Sequence, residues 1–272
     1  MNARIGVVVA LLLSGCSGAE KKESVAARAV PVSQSADARA LRMPRMFPAR
    51  VAAAAPGTAI ATLRVQVVFD GVLPPDTTVQ ARTTDPACGD SFVDTAVVHN
   101  GTAVVGALVW VEGTGTVISA SGVAEFRPTV LLEGCQLQPR IQLAAAGSTI
   151  QLVMRDQRVE SLVVVPTSPT TPIDTIAFNT DGQLVPVRHR TDSTGVLGIY
   201  ATRLPWARAF VAITPLGVSA ISDATGAASF TLDRAATKLT IRAWHPSLGV
   251  ASASINPSSA GAAPAVTLTF RR

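Results

Sequence analysis

Motifs that carry hydrolytic, metal or phosphate chemistry are missing from this chain. It contains no H-E-x-x-H, no G-x-S-x-G and no G-x-x-x-x-G-K. A helix-borne zinc pair, a nucleophile elbow and a phosphate-cradling loop are therefore excluded in their usual forms. No Ser-His-acid set stands out either. Asp156 and Glu160 lie four residues apart, a spacing that reads as two solvated loop acids, and no enzymatic activity is expected. Aromatic residues are scarce, with three Trp and one Tyr, so the flat aromatic face of a glycan binder has few side chains to draw on. No basic face interleaved with aromatics appears, and nucleic acid is not expected as a partner. No apolar run reaches the roughly 20 residues of a membrane-spanning helix. Past residue 60 no helical period longer than two turns is visible.

The N-terminus holds what reads as a targeting segment. Arg4 gives a short basic region, and the apolar run "IGVVVALLLSG" follows, as in a secretory leader. It ends in Leu13-Ser14-Gly15-Cys16, which resembles the bacterial lipobox. In that family the Cys becomes the lipidated first residue of the mature protein, so residues 1–15 are expected to be a signal peptide and Cys16 the membrane anchor. Ser17 in place of Asp implies the outer membrane over inner-membrane retention. Residues 16–58 are rich in Ala, Ser, Pro and charge without a sustained apolar period, and read as a flexible tether. A chain of this length has ends about 35 Å apart.

The formal net charge of +5 is unevenly placed. Residues 59–272 carry 15 basic and 15 acidic side chains, whereas residues 17–58 carry seven basic and three acidic. The basic excess thus lies beside the expected anchor. There it can rest against anionic head groups, at about 1 kcal/mol per basic side chain. Of three cysteines, lipidation takes Cys16 and leaves Cys88 and Cys135. In an exported chain these two most simply pair, closing a loop worth about 4 kcal/mol in the chain-entropy model. The competing reading, two thiolates of a metal site, lacks histidines nearby in the sequence.

From Leu63 onward short β-rich runs alternate with Gly, Pro, Asn and Asp. "LRVQVVF" reads as a strand, and His99-Asn100-Gly101 between alternating runs is a hairpin signal. Comparable runs continue to "AVTLTF" near the C-terminus. The pattern predicts an all-β sandwich with a core of β-branched side chains.

Several spaced motifs add to this reading. Cys88-Gly89, "CQLQPRI" (135–141), "RDQRVES" (155–161), "ATRLPWARAFV" (201–211), "SDATGAASFTL" (222–232) and "WHPSLG" (244–249) occur in order. Together they resemble periplasmic cupredoxin-like proteins labelled plastocyanin-like or methylamine-utilisation-like, over most of residues 63–255. The resemblance implies a Greek-key cupredoxin-like sandwich over residues 59–214. The family's electron-transfer copper takes two His, a Cys thiolate and a Met. Carried onto this chain, those ligand positions fall at Glu160, Ala201, Leu204 and Ala207, and every one has lost its donor. Pro205, Trp206, Arg208 and Ala209 stand where the family has them. If the backbone keeps the family's geometry, the four altered side chains converge at one end of the sandwich, with Glu160 turned to solvent. Residues 215–272 resemble the carboxypeptidase regulatory-like β modules, which are similar to transthyretin. Asp223 and Gly226 would shape a turn there and Phe230 would pack inward, on or continuous with the sandwich.

These readings converge on a non-catalytic lipoprotein of the cell envelope that holds no cofactor and no metal. Its expected contacts are the membrane, through the lipid, and an envelope protein or glycan. Trp206 reads either as a surface aromatic that docks a partner or as a buried anchor of the turn. His245 reads either as a strand-end residue bonded to a backbone carbonyl or as a polar recognition group. The alternative is a copper or redox protein in periplasmic electron transfer with a non-standard site.

Overall fold

In the computed structural model, the described residues are 59–80, 88–114, 117–120, 127–156, 159–166, 171–179, 182–187, 194–215, 217–233, 238–256 and 265–271. The expected leader, Cys16 and the tether lie outside them. In chain order the strands are β1 (Ala59–Asp70), β2 (Thr77–Gln80), β3 (Ser91–Asp94), β4 (His99–Asn100), β5 (Ala103–Val104), β6 (Leu108–Thr114) and β7 (Val117–Ala120). Then come β8 (Thr129–Glu133), β9 (Gln136–Gln138), β10 (Ile141–Ala145), β11 (Gln151–Met154), β12 (Glu160–Pro166), β13 (Asp174–Phe178) and β14 (Leu184–Pro186). The last are β15 (Gly195–Ala201), β16 (Arg208–Thr214), β17 (Ser219–Ile221), β18 (Ala227–Asp233), β19 (Lys238–His245), β20 (Gly249–Ile255) and β21 (Ala265–Arg271). The described chain is all-β, as its short alternating runs predict.

The ladders are strongly non-local. β1 is a central strand, antiparallel to β18 on one side and parallel to β21 on the other, with β5 paired near its end. A second sheet runs β17-β6-β19-β20. The ranges 59–214 and 215–272, read as successive units, therefore share their ladders, since β17, β18, β19 and β21 all pair with strands before residue 121. The residues from β8 to β16 make two further sheets, β10-β16-β15-β12-β13 and β14-β11-β8-β9. Topologically they are inserted between the two halves of the first pair of sheets. Periodicity reports which face of a strand is apolar but not which strand lies beside it, so this interleaving leaves no local mark.

Two cores follow from the four sheets. The first gathers Leu63, Val65, Trp110, Phe230, Trp244 and Phe270 with their neighbours. The second gathers Leu132, Leu152, Met154, Leu162, Phe178 and Ile199 with theirs. The sheet holding β16 serves both. Phe210 and Ala212 point into the first core, while Ala209, Val211 and Ile213 point into the second. This explains why "RAFVAI" is apolar without alternation: a strand buried on both faces has no polar side. Phe210 meets Trp244 edge-on, with centroids 5.4 Å apart, and so joins β16 to β19.

The hairpin signal is realised as β4–β5, with His99 opposite Val104 and Gly101 at φ 57°. A second tight hairpin joins β8 to β9 through Gly134 and Cys135, both left-handed at φ 57° and 61°. Two such residues in succession make the primed turn that fits strand twist. Cys135 accepts this rare conformation because its N–H and that of Gly134 both donate to the Asp156 carboxylate, at 2.8 and 2.7 Å. Asp156 is buried. The reading of a solvated loop acid is corrected for it, because those two turn N–H groups need an acceptor.

Candidate functional site

The segment between β15 and β16 closes on itself. The Ala201 N–H donates to the Ala207 carbonyl at 3.0 Å, and the Ala207 N–H to the Leu204 carbonyl at 2.9 Å. The Thr202 N–H donates to Ser161 O on β12 at 2.9 Å. In the same ladder Ala201 sits opposite Leu162. Glu160 opens β12 on the buried face it shares with Leu162 and Val164. The structure thus brings all four positions, Glu160, Ala201, Leu204 and Ala207, to one end of the second core.

The four side chains are hydrocarbon apart from the Glu160 carboxylate. Leu204 and Ala207 are fully withdrawn and Ala201 nearly so. Glu160 does not turn to solvent as expected; it is 1 % exposed. Its Oε1 accepts from the Thr202 hydroxyl at 2.9 Å, the Arg203 N–H at 3.1 Å and the Ser161 N–H at 2.9 Å. The tight loop leaves backbone donors facing inward, and a carboxylate that satisfies them is tolerated inside where an unpaired one is not. Ala and Leu offer a metal no donor, and Glu160 Oε1 is committed to the loop. These side chains do not fit a copper centre of the two-nitrogen, one-thiolate type. Among the described residues, no three His, Cys, Asp or Glu side chains gather as a metal cluster would require.

Trp206 packs the outside of this loop. It is half-buried, its indole N–H donates to Cys135 O at 3.0 Å, and its ring meets Phe92 edge-on at 5.6 Å. Of its two readings, this geometry is that of an anchor. Cys135 is in turn bonded to Cys88, with Cα atoms 5.1 Å apart and a sequence separation of 47. The β2–β3 hairpin is hydrogen-bonded to no other sheet among the described residues. It is held near the loop by that disulfide and by Phe92.

His245 is 4 % exposed and lies at the end of β19. Its Nδ1 accepts from the Ser247 N–H at 3.2 Å. The expected bond to a carbonyl is corrected at this nitrogen: the turn presents a donor, so the ring must be an acceptor there. Burial first, then the positive charges of Arg140 and Arg208, push its pKa down to about 3. His99 is exposed, with Nδ1 3.1 Å from Gly101 O, and belongs to the β4–β5 turn. Asp223 accepts from the Thr225 hydroxyl and from the N–H groups of Thr225 and Ala227 at 2.6–3.0 Å, which holds its carboxyl below the usual range. Gly226 follows at φ 74°, and Phe230 is buried.

One polar group escaped the sequence reading. Asp94 Oδ1 lies 2.6 Å from Arg140 Nη1, and its Oδ2 3.7 Å from Arg208 Nη2. Both arginines sit in motif segments, but nothing in a linear sequence says that they share one carboxylate from residue 94.

No protein-family model matches the chain, and no curated protein matches it. Among solved structures it is similar to a reduced Cu(I) form, at pH 4, of a mutant of amicyanin, at 13% identity and a TM-score of 0.29, covering 39% of this chain and 98% of that one. Amicyanin from Paracoccus versutus gives 14% identity and 0.28 over 38% of this chain and 100% of that one. A purple cupredoxin from Nitrosopumilus maritimus gives 12% identity and 0.26 over 32% and 99%.

Proposed function

We propose that this protein is a non-catalytic envelope lipoprotein whose inserted sandwich is cupredoxin-like, has lost its copper site and serves as a binding or structural module. One observation carries the reading. Glu160 meets Ala201, Leu204 and Ala207, which follow it by 41 to 47 residues, at one end of a core, as ligands would, yet none of the four offers a soft donor. A loop that keeps its Pro-Trp turn and its closing hydrogen bonds after losing every soft donor serves packing, not electron transfer. Cys16 supplies the lipid anchor, and the basic tether lies against anionic head groups of the outer membrane. An envelope protein or a glycan is the partner.

Fractionation of cells carrying Cys16→Ser tests the anchor. The variant is expected to remain unprocessed at the leader and to carry no lipid, so that any membrane association it keeps is through the uncleaved apolar run. A variant that stays membrane-bound and is processed like the wild type contradicts it. Metal analysis of wild-type protein isolated from the envelope tests the loss of copper, and stoichiometric copper with intense visible absorption contradicts that part.

A further inference from the structure

Arg140 and Arg208, from two motif segments, share one partner at a second place, and His245 from a third segment feels both of their charges. Arg140 follows "CQLQP", Arg208 opens β16 and His245 ends β19. Asp94, the last residue of β3, lies between the two arginines, 2.6 Å from Arg140 Nη1 and 3.7 Å from Arg208 Nη2. The group is largely withdrawn from water: the side chains of Arg140, Arg208 and Asp94 are 26%, 21% and 16% exposed. Asp94 thus touches both guanidinium groups, and the buried His245 lies within range of their charges.

The unused hydrogen-bonding capacity lies on Arg140. Its Nε and Nη2 are buried and find no hydrogen-bond partner among the described residues. These two atoms carry the parallel N–H bonds along one edge of the guanidinium. That edge matches two oxygens of a carboxylate or phosphate, and such bidentate pairing is the strongest use of arginine. Asp94 cannot supply it, because its Oδ1 is already engaged with Nη1 and its hairpin is tied down through Cys88 and Phe92.

We propose that Arg140 and Arg208, oriented by Asp94, form a binding site for a small free oxyanion, which takes the Nε/Nη2 edge of Arg140. Because that edge is covered, entry requires local movement of the groups that cover it. Asp94 then has two roles: it fixes the Arg140 plane, and its charge weakens the bound anion. The site is independent of whether the 201–207 loop once held copper.

The test is a titration of the purified protein with sodium phosphate, and separately with sodium acetate, against sodium chloride at matched ionic strength and pH 7. It is followed by the arginine Nε–H resonances in NMR. A saturable shift of one Nε–H resonance with phosphate, or with acetate, is expected; which anion saturates first identifies the preferred oxyanion. Arg140→Lys keeps the charge but not the paired edge, and should weaken binding about tenfold or more. Asp94→Asn removes the competing charge and should tighten it. Equal titration of wild type and Arg140→Lys overturns the proposal. So does the absence of any saturable shift in the wild type, a result that decides the matter even if the variants do not fold.

Discussion

His245 gives the structure a measurable pH dependence. An unfolded chain protonates this imidazole near 6.5, whereas in the folded protein burial and the charges of Arg140 and Arg208 hold its pKa at about 3. Between those values the unfolded state binds more protons than the folded one, so stability falls as pH drops from about 6.5 toward 3. It is flat in this group above and below that window. Each unit of separation corresponds to about 1.4 kcal/mol. Between pH 6.5 and 5 the loss is therefore about 2 kcal/mol, and over the whole window roughly 4–5 kcal/mol. Asp223, whose pKa is lowered by its turn hydrogen bonds, acts only below its ordinary carboxylate range and does not enter the upper half of the window. Urea unfolding of the wild type and of His245→Asn at pH 7, 6 and 5 isolates the effect. Asn presents an oxygen where Nδ1 accepts from Ser247, so the variant's own loss of packing is the same at every pH. The wild type should lose about 2 kcal/mol relative to the variant on going from pH 7 to 5. Equal pH slopes for the two proteins, or an imidazole titrating near 6.5 by NMR in the folded wild type, would refute the reasoning.

Glu160→Ala removes an acceptor that serves two backbone N–H groups and a hydroxyl inside the loop; a loss of about 2–3 kcal/mol in urea unfolding is expected, and a change under about 0.5 kcal/mol contradicts the buried role assigned to it. Cys88→Ser with Cys135→Ser should cost about 2–4 kcal/mol, and thiol counting on unfolded, unreduced protein should find neither sulfur free. Two reactive thiols at those positions would oppose the pairing.

Much of the architecture was legible in the sequence. Strand runs with Gly, Pro and Asn between them announced an all-β chain, Asn100-Gly101 marked a hairpin, and elimination singled out Cys88 and Cys135 as a pair. The interleaving of β1 with β18 and β21 was not legible, because pairing partners are chosen by faces that only the assembled sheet brings together. The burial of Glu160 and Asp156 was missed for a related reason. A carboxylate enters a core when donors wait for it, and apart from the Ser161 N–H those donors come from residues 202–203 and 134–135, outside the local window. Arg140 and Arg208 were visible as motif letters, but their shared partner Asp94 lies 46 residues before Arg140.

The central claim, that residues 201–207 with Glu160 keep the frame of a copper site without its ligands, meets its most direct test in one variant. Glu160→His, Ala201→Cys, Leu204→His and Ala207→Met are combined, the Cys88–Cys135 bond is verified by thiol counting, and the purified protein is titrated with copper while its visible spectrum is recorded. One equivalent of copper with the intense absorption of a copper thiolate is the predicted result, against none in the wild type. A variant that keeps the wild-type β spectrum in circular dichroism but binds no copper at the introduced thiol would contradict the account.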